Sequence, residues 1–144
     1  MKKILFLLLF SLLAFTCEED DCDSTVADTI SFGMLGEITV INQAGLAVEG
    51  YPVRITFQKH WCDGGVGFPA EFSGVTDLNG KWSHIIDYEL NNEEDYITVD
   101  YAAGTGTTQL GHMDLFKYPI INSRVGGGSI GVLFPALHTF EIVE

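Results

Sequence analysis

The strongest constraint on the fold is a succession of short segments in which apolar and polar residues alternate, each followed by turn residues. In 53–57, for example, Val53, Ile55 and Phe57 occupy one face. Alternation with a period of two places successive side chains on opposite faces of a β-strand. From residue 36 onwards the pattern contains strands and turns and no helical stretch, so the sequence predicts an all-β domain.

The predicted strands number about seven and are evenly spaced, which is typical of an antiparallel β-sandwich. They cover residues 37–41, 53–57, 72–76, 81–87, 96–101, 109–118 and 139–143. The segment 77–80 lies between two of them and predicts a hairpin turn in which Asp77 caps the backbone and Gly80 takes a positive φ. Leu78 should be exposed there, whereas Ile55 and Val99 should be buried.

Three segments resemble the prealbumin-like or carboxypeptidase-regulatory-like domain. They are 36–42, 45–55 and 76–82, and the last, Thr-Asp-Leu-Asn-Gly-Lys-Trp, is similar to the family pattern T-D-x-x-G-x-[FYW]. The chain departs from the family at Leu46-Ala47, where a proline is usual. The resemblance covers about residues 34–102. It implies a seven-stranded, Ig-like sandwich that serves as an accessory, adhesion or spacer module and not as a catalyst.

The N-terminal segment has the charge pattern of an export signal. Two lysines precede the apolar run 4–15, which is too short to cross a bilayer core of about 30 Å as a helix. Residues 13–17, Leu-Ala-Phe-Thr-Cys, resemble a relaxed lipobox of a bacterial lipoprotein. The resemblance implies removal of residues 1–16 and a lipid on Cys17. The alternatives are an uncleaved anchor and an ordinary signal cut near Cys17.

The residues that follow Cys17 are acidic: Glu18, Glu19, Asp20 and Asp21. They resemble the export signal of bacteroidete-type lipoproteins, which implies a lipid-anchored protein on the outer face of the outer membrane. A solvated tether explains the same residues, because neighbouring carboxylates repel one another and resist folding, and both roles are compatible. The predicted organisation is a signal peptide at 1–16, a lipidated acidic tether at 17–33 and a β-sandwich domain at 34–144.

Charge limits the partners of such a chain. Removing Lys2 and Lys3 from the seven basic residues leaves five against 20 acidic ones, so the mature chain has a net charge of about −15. This charge repels phosphate backbones and anionic lipid headgroups. We therefore expect no nucleic-acid partner. The expected partners are a membrane, through the N-terminal lipid, and other envelope proteins or glycans.

The three cysteines of the chain allow one disulfide if Cys17 carries lipid. Cys22 and Cys62 then remain, in a compartment where disulfides persist. A bond between them would join the tether to a loop of the domain. The alternative is that both thiols are free.

The sequence predicts a non-enzymatic protein without catalytic residues, metal or cofactor. Residues 139–144 lack the Tyr-Arg-Gly-Ser motif of transthyretin-like hydrolases, and the four histidines lie far apart in the sequence without an H-x-H pair; they are His60, His84, His112 and His138. The segment 60–63 contains metal-ligand residue types but lacks the usual spacing. A turn explains Asp77 and Asn79 without the calcium ion that they and Asp95 could bind.

Aromatic residues provide the best indication of binding. Trp61 belongs to the glycine-rich segment 60–69, which predicts a loop at one end of the sandwich, where such domains usually recognise partners. With Tyr51 and Phe68 it could stack on a sugar ring. Alternatively, Trp61 packs over the open end of the core. The first predicted function is a non-catalytic interaction or accessory domain on a surface lipoprotein, and the second is glycan binding through this loop.

Overall fold

A computed structural model describes residues 29–91, 93–125 and 131–143 of the chain. Several sequence predictions therefore lie outside the described residues: the signal peptide, the lipidation site Cys17, the acidic run 18–21 and Cys22. Within the described residues, no helix combines the length and the apolar character needed to span a membrane.

The described chain contains seven strands, one short helix and a 3₁₀ turn. The strands are β1 (Ile30–Asn42), β2 (Pro52–His60), β3 (Ala70–Val75), β4 (Lys81–Leu90), β5 (Tyr96–Ala103), β6 (Leu110–Lys117) and β7 (Leu133–Ile142), the helix is α1 (Tyr118–Val125), and the 3₁₀ turn is Gly106–Thr108. They form a three-stranded sheet in the order β4-β1-β7 and a four-stranded sheet in the order β3-β2-β5-β6. The predicted all-β sandwich of about seven strands is confirmed.

One strand pair departs from the predicted antiparallel arrangement. β7 lies parallel to β1, with Gly33 opposite Leu133, whereas the other pairs are antiparallel. The reason is the connection after β6. Helix α1 leads from the end of β6 to the start of β7 at one end of the sandwich, so β7 runs back in the direction of β1.

The core lies between the two sheets and receives alternate residues of each strand. Ile55 and Val99 are fully buried, as predicted, and each such side chain contributes about 1.5–3 kcal/mol through removal from water. β1 begins at Ile30, ahead of the predicted domain start at residue 34. Ile30, Phe32 and Met34 all face the core, so the alternation continues into the segment assigned to the tether.

Two other predictions require correction. The predicted strand 109–118 ends at Lys117, and α1 follows it, although the sequence showed no helical stretch. Tyr118, Ile121 and Val125 of α1 are buried at helical spacing, and Pro119 is tolerated in the first turn. In addition, the turn at 77–80 does not close a hairpin, because β3 pairs with β2 and β4 pairs with β1.

The two ends of the sandwich are named here by the path of the chain. The entry end contains Ile30, the first residue of β1, together with Leu90 opposite it and the last residues of β2 and β6. At this end Lys59 Nζ donates a 2.7 Å hydrogen bond to the Glu89 carbonyl and so joins the two sheets. The far end contains the last residues of β1, β5 and β7 and the first residue of β4.

Candidate functional site

Three five-residue turns, 42–46, 61–65 and 77–81, share one hydrogen-bonding pattern. In each, the first residue's N–H donates to the fifth residue's carbonyl, and the fourth residue's N–H donates to the first residue's carbonyl. These six hydrogen bonds measure 2.8–3.0 Å. The fourth residue is a glycine with a φ of 71–78°. The predicted positive φ of Gly80 is thus confirmed.

The first residue distinguishes these turns. Asn42 Oδ1 accepts the N–H groups of Ala44 and Leu46, both at 3.0 Å. Asp77 Oδ1 likewise accepts those of Asn79 and Lys81, at 2.8 and 2.9 Å. The turn 61–65 has Trp61 at this position, which offers no acceptor. A tryptophan here gives up a local cap that the chain uses in both other turns.

The turn 61–65 is held by one carboxylate from outside, Asp95, and by one within it, Asp63. Asp95 is 1% exposed, and its Oδ1 accepts the Cys62 N–H at 3.3 Å. The other carboxylate oxygen of Asp95 lies 3.6 Å from Lys59 Nζ, which neutralises the buried charge. Within the turn, Gly65 N–H donates to Asp63 Oδ1 at 2.8 Å. The loop therefore has a fixed conformation although its first residue cannot cap it.

Trp61 packs on its own loop. Its side chain is 39% exposed, and its ring lies against the backbone positions of Gly65 and Gly67. Lys59 Nζ stands 5.6 Å from the ring centroid, within cation–π range. The contacts of Trp61 that the structure shows are thus with its own loop and with Lys59. Phe68 is fully exposed, and among the described residues these are the only exposed Trp, Tyr or Phe side chains.

Tyr51 does not join this aromatic pair. It precedes β2 at the far end, whereas Trp61 follows β2 at the entry end, and a nine-residue strand spans roughly 30 Å. The Tyr51 N–H donates to Thr76 Oγ1 at 3.0 Å, and its side chain packs against the core. Of the three predicted binding residues, Trp61 and Phe68 thus share one loop, and Tyr51 lies at the other end of the sandwich.

Cys62 is disulfide-bonded, and its partner lies outside the described residues. Its pairing with Cys22 stays a prediction. A disulfide sulfur is not a thiolate ligand, so the metal alternative for 60–63 loses its cysteine. His60 of the same segment stacks on Tyr96 with ring centroids 4.4 Å apart. Asp95 lies near the entry end and Asp77 near the far end, so the three calcium-ligand candidates are not brought together.

Two histidines far apart in the sequence meet between the edges of the sheets. His112 of β6 and His138 of β7 stack with ring centroids 3.9 Å apart, and His112 Nε2 lies 3.0 Å from Asp114 Oδ1. Burial, and then the neighbouring His112, lower the pKa of His138. Burial and the Asp114 carboxylate raise the pKa of Tyr101, whose ring stacks on both imidazoles. This cluster was missed because its members share no sequence motif.

The outer face of the three-stranded sheet is apolar at its centre. Leu35 of β1 stands between Ile85 of β4 and Pro135 of β7. Ile85 is 50% exposed and Leu137 is 55% exposed, whereas a solvated sheet face normally carries polar side chains. Charged side chains occupy the same face around this centre and are mostly acidic: Glu37 pairs with Lys81 at 2.7 Å, and Asp87, Glu89 and Glu141 add three further carboxylates. This surface, called the apolar sheet face below, was not predicted from the sequence.

The comparisons add no family to this description. No protein-family model matches the chain, and comparison with curated proteins finds no significant match. In the part of the chain that the structure describes, no three His, Cys, Asp or Glu side chains converge as a metal-binding group. The two features that distinguish the surface are therefore the Trp61 loop and the apolar sheet face.

Proposed function

We propose that the chain is a lipoprotein anchored through Cys17 at the outer-membrane surface, and that its sandwich is a non-catalytic interaction module for another envelope protein. The sequence supports the anchor through residues 13–21. The split into sheets of three and four strands agrees with the seven-stranded sandwich that the prealbumin-like resemblance implies. Domains of that family serve as accessory modules, which agrees with this role.

The observation that carries the interaction role is the apolar sheet face. Exposed Ile85, Leu133 and Leu137 lie on a rigid sheet, where side chains need little ordering on binding. Contiguous exposed apolar surface with a polar rim is typical of protein-binding sites. Because the rim is acidic, we infer a partner with an apolar patch bordered by lysine or arginine.

A photo-crosslinking residue at Leu137, in intact cells, tests this function. We expect one discrete envelope protein to be crosslinked from position 137. The matched control is Thr56, which lies on the outer face of the other sheet and should give no such product. Adding Ile85→Asp to the protein that carries the crosslinking residue at position 137 should abolish the product, because a carboxylate would replace an apolar contact.

Cys17→Ala separates the two parts of the proposal. It should abolish labelling with palmitate and membrane association. Palmitate labelling without a crosslink from position 137 would contradict the interaction role and leave the anchor intact. Identical products from positions 137 and 56 would show that the apolar sheet face is not selective.

A further inference from the structure

We propose that the loop 61–69 docks on the lipid surface in which Cys17 is anchored, with Trp61 and Phe68 in the interfacial layer. We infer that this lipid surface consists of zwitterionic headgroups. This inference rests on the proposed lipidation of Cys17. It assigns to the Trp61 loop a role distinct from the protein-binding role of the apolar sheet face.

The path of the chain places the loop toward the anchor. The polypeptide from Cys17 enters the described domain at Thr29 and Ile30, at the entry end. The loop 61–69 follows β2 at the same end, where Lys59 contacts the carbonyl of Glu89 next to Leu90, the partner of Ile30. The exposed aromatic residues and the entry of the anchored segment therefore share one end of the sandwich.

The disulfide shortens the distance between loop and anchor. With lipid on Cys17, Cys22 is the remaining cysteine of this sequence that can pair with Cys62 within the chain. Five residues span at most about 18 Å when fully extended, and disulfide-bonded residues have Cα atoms about 6 Å apart. Cys62 would then lie within roughly 25 Å of the lipidated residue, and Trp61 is its neighbour. The loop would remain close to the membrane whichever way the sandwich tilts.

The side chains of the loop suit a lipid interface. Tryptophan is enriched at the boundary between headgroups and acyl chains, and Phe68 and Val66, 100% and 53% exposed, add apolar surface beside Trp61. Asp95 pairs with Lys59, so the cation beneath the ring is already neutralised. The far end also exposes leucines, Leu46 and Leu78, but in the described residues it exposes no Trp, Tyr or Phe.

Charge selects the type of lipid. The mature chain has a net charge of about −15, and the acidic run 18–21 stands next to the anchor. The acidic run begins at the residue next to the anchor, within about one Debye length, about 8 Å, of the headgroups at physiological salt, so anionic headgroups would repel it. Zwitterionic headgroups impose no such penalty and leave the aromatic contact to determine docking.

The test uses the two tryptophans of the chain as reporters of its two ends. Lipidated protein carrying Trp82→Phe retains Trp61 alone and is reconstituted into phosphatidylcholine liposomes with brominated acyl chains. We expect the emission of Trp61 to fall at least twofold relative to liposomes without bromine. The matched control, Trp61→Phe, retains Trp82 at the start of β4 on the far end, and its emission should be unchanged.

The outcomes are separable. Palmitate incorporation without quenching of Trp61 overturns the docking and leaves the proposed lipoprotein intact, whereas absent palmitate incorporation overturns both. Equal quenching of Trp61 and Trp82 overturns docking by this loop. Protection of Trp61 from acrylamide by soluble oligosaccharides, without quenching by brominated lipid, would overturn it in favour of a sugar-binding platform.

A separate variant tests the contribution of the disulfide. Cys22→Ser in the lipidated Trp82→Phe protein should reduce the quenching of Trp61 at least twofold, because the loop would lose its short link to the anchor. Quenching equal to that of the parent would overturn this positioning step. Thermal melts of each variant verify that the sandwich remains folded.

Discussion

The turns 61–65 and 77–81 have the same backbone geometry and are stabilised in different ways. In 77–81 the carboxylate of Asp77 caps the turn from within, through the N–H groups of Asn79 and Lys81. In 61–65 the first residue is Trp61, which has no acceptor; Asp63 caps the Gly65 N–H from within, and Asp95 from another loop and a disulfide at Cys62 add support from outside. The turn 77–81 has its side-chain cap at its first residue, whereas the turn 61–65 has an aromatic ring there and receives part of its support from a residue far away in the sequence.

The comparison separates local from long-range information. A turn whose own residues provide its hydrogen bonds can be inferred from a short motif. A turn supported by Asp95, which lies 33 positions after Cys62, cannot be inferred from a short motif. Exposed, externally supported loops on rigid scaffolds are also where binding residues tend to lie. The difference between the turns thus bears on function as well as on stability.

The largest expected effect comes from the glycines at the fourth position. Gly80 has a φ of +71°, and a Cβ there would lie 2.5 Å from the Val40 carbonyl oxygen. Gly64 has a φ of +78° but open space around it. Gly80→Ala should therefore cost about 3 kcal/mol or more, from backbone strain and displaced packing, and Gly64→Ala about 1 kcal/mol, from strain alone. Urea unfolding of the mature chain measures both, and equal losses would contradict the comparison.

The second residue of each turn gives the next largest expected effect on stability. Cys62 is disulfide-bonded, and its counterpart Leu78 is 78% exposed. Cys62→Ser should lower the free energy of unfolding by about 2–4 kcal/mol, because the unfolded chain loses a crosslink. Leu78→Ser should change it by less than about 0.5 kcal/mol. Reductant should reproduce the loss in the parent protein and leave Cys62→Ser unaffected; a loss no larger than that of Leu78→Ser would mean that the disulfide does not support the fold.

The sequence predicted those features whose determinants are close together in the chain. Alternation at 53–57 identified β2, and Asp77 with Gly80 identified a turn, because each pattern is complete within a few residues. The pairing of strands was harder to predict from the sequence. The turn at 77–80 was assigned to a hairpin, but Thr76 bonds to Tyr51 beside β2 while Gly80 accepts the N–H of Val40 on β1, so the chain changes sheets between them.

The missed features depend on contacts between distant residues. Helix α1 has too few residues for periodicity to identify it. Its side chains are buried because the helix packs against one end of the core, a contact that the sequence alone does not indicate. His112 and His138 meet because β6 and β7 are neighbouring edges of different sheets. Tyr51 and Trp61 are close in sequence, yet β2 separates them. The exposed aromatic pair was therefore only partly predictable, and the apolar sheet face was not predictable without the strand register.

The smallest expected effect is a difference in pH dependence between the turns. The N–H of Lys81 is the main cause that holds the pKa of Asp77 below its ordinary value of 3.8, with the N–H of Asn79 contributing. Because the folded state binds the proton less readily than the unfolded state, the contribution of Asp77 is fully present above pH 3.8 and is lost as the pH falls through the lower folded-state pKa. Asp77→Asn keeps the acceptor oxygen, as Asn42 does in its turn, but removes the titration.

Melting temperatures between pH 2 and 6 should therefore show the parent protein losing more stability on acidification than Asp77→Asn. Trp61 has no titrating group at this position, so Trp61→Phe should leave the acid limb of the parent unchanged, and a pH-independent difference between the parent and Asp77→Asn would refute the charged cap.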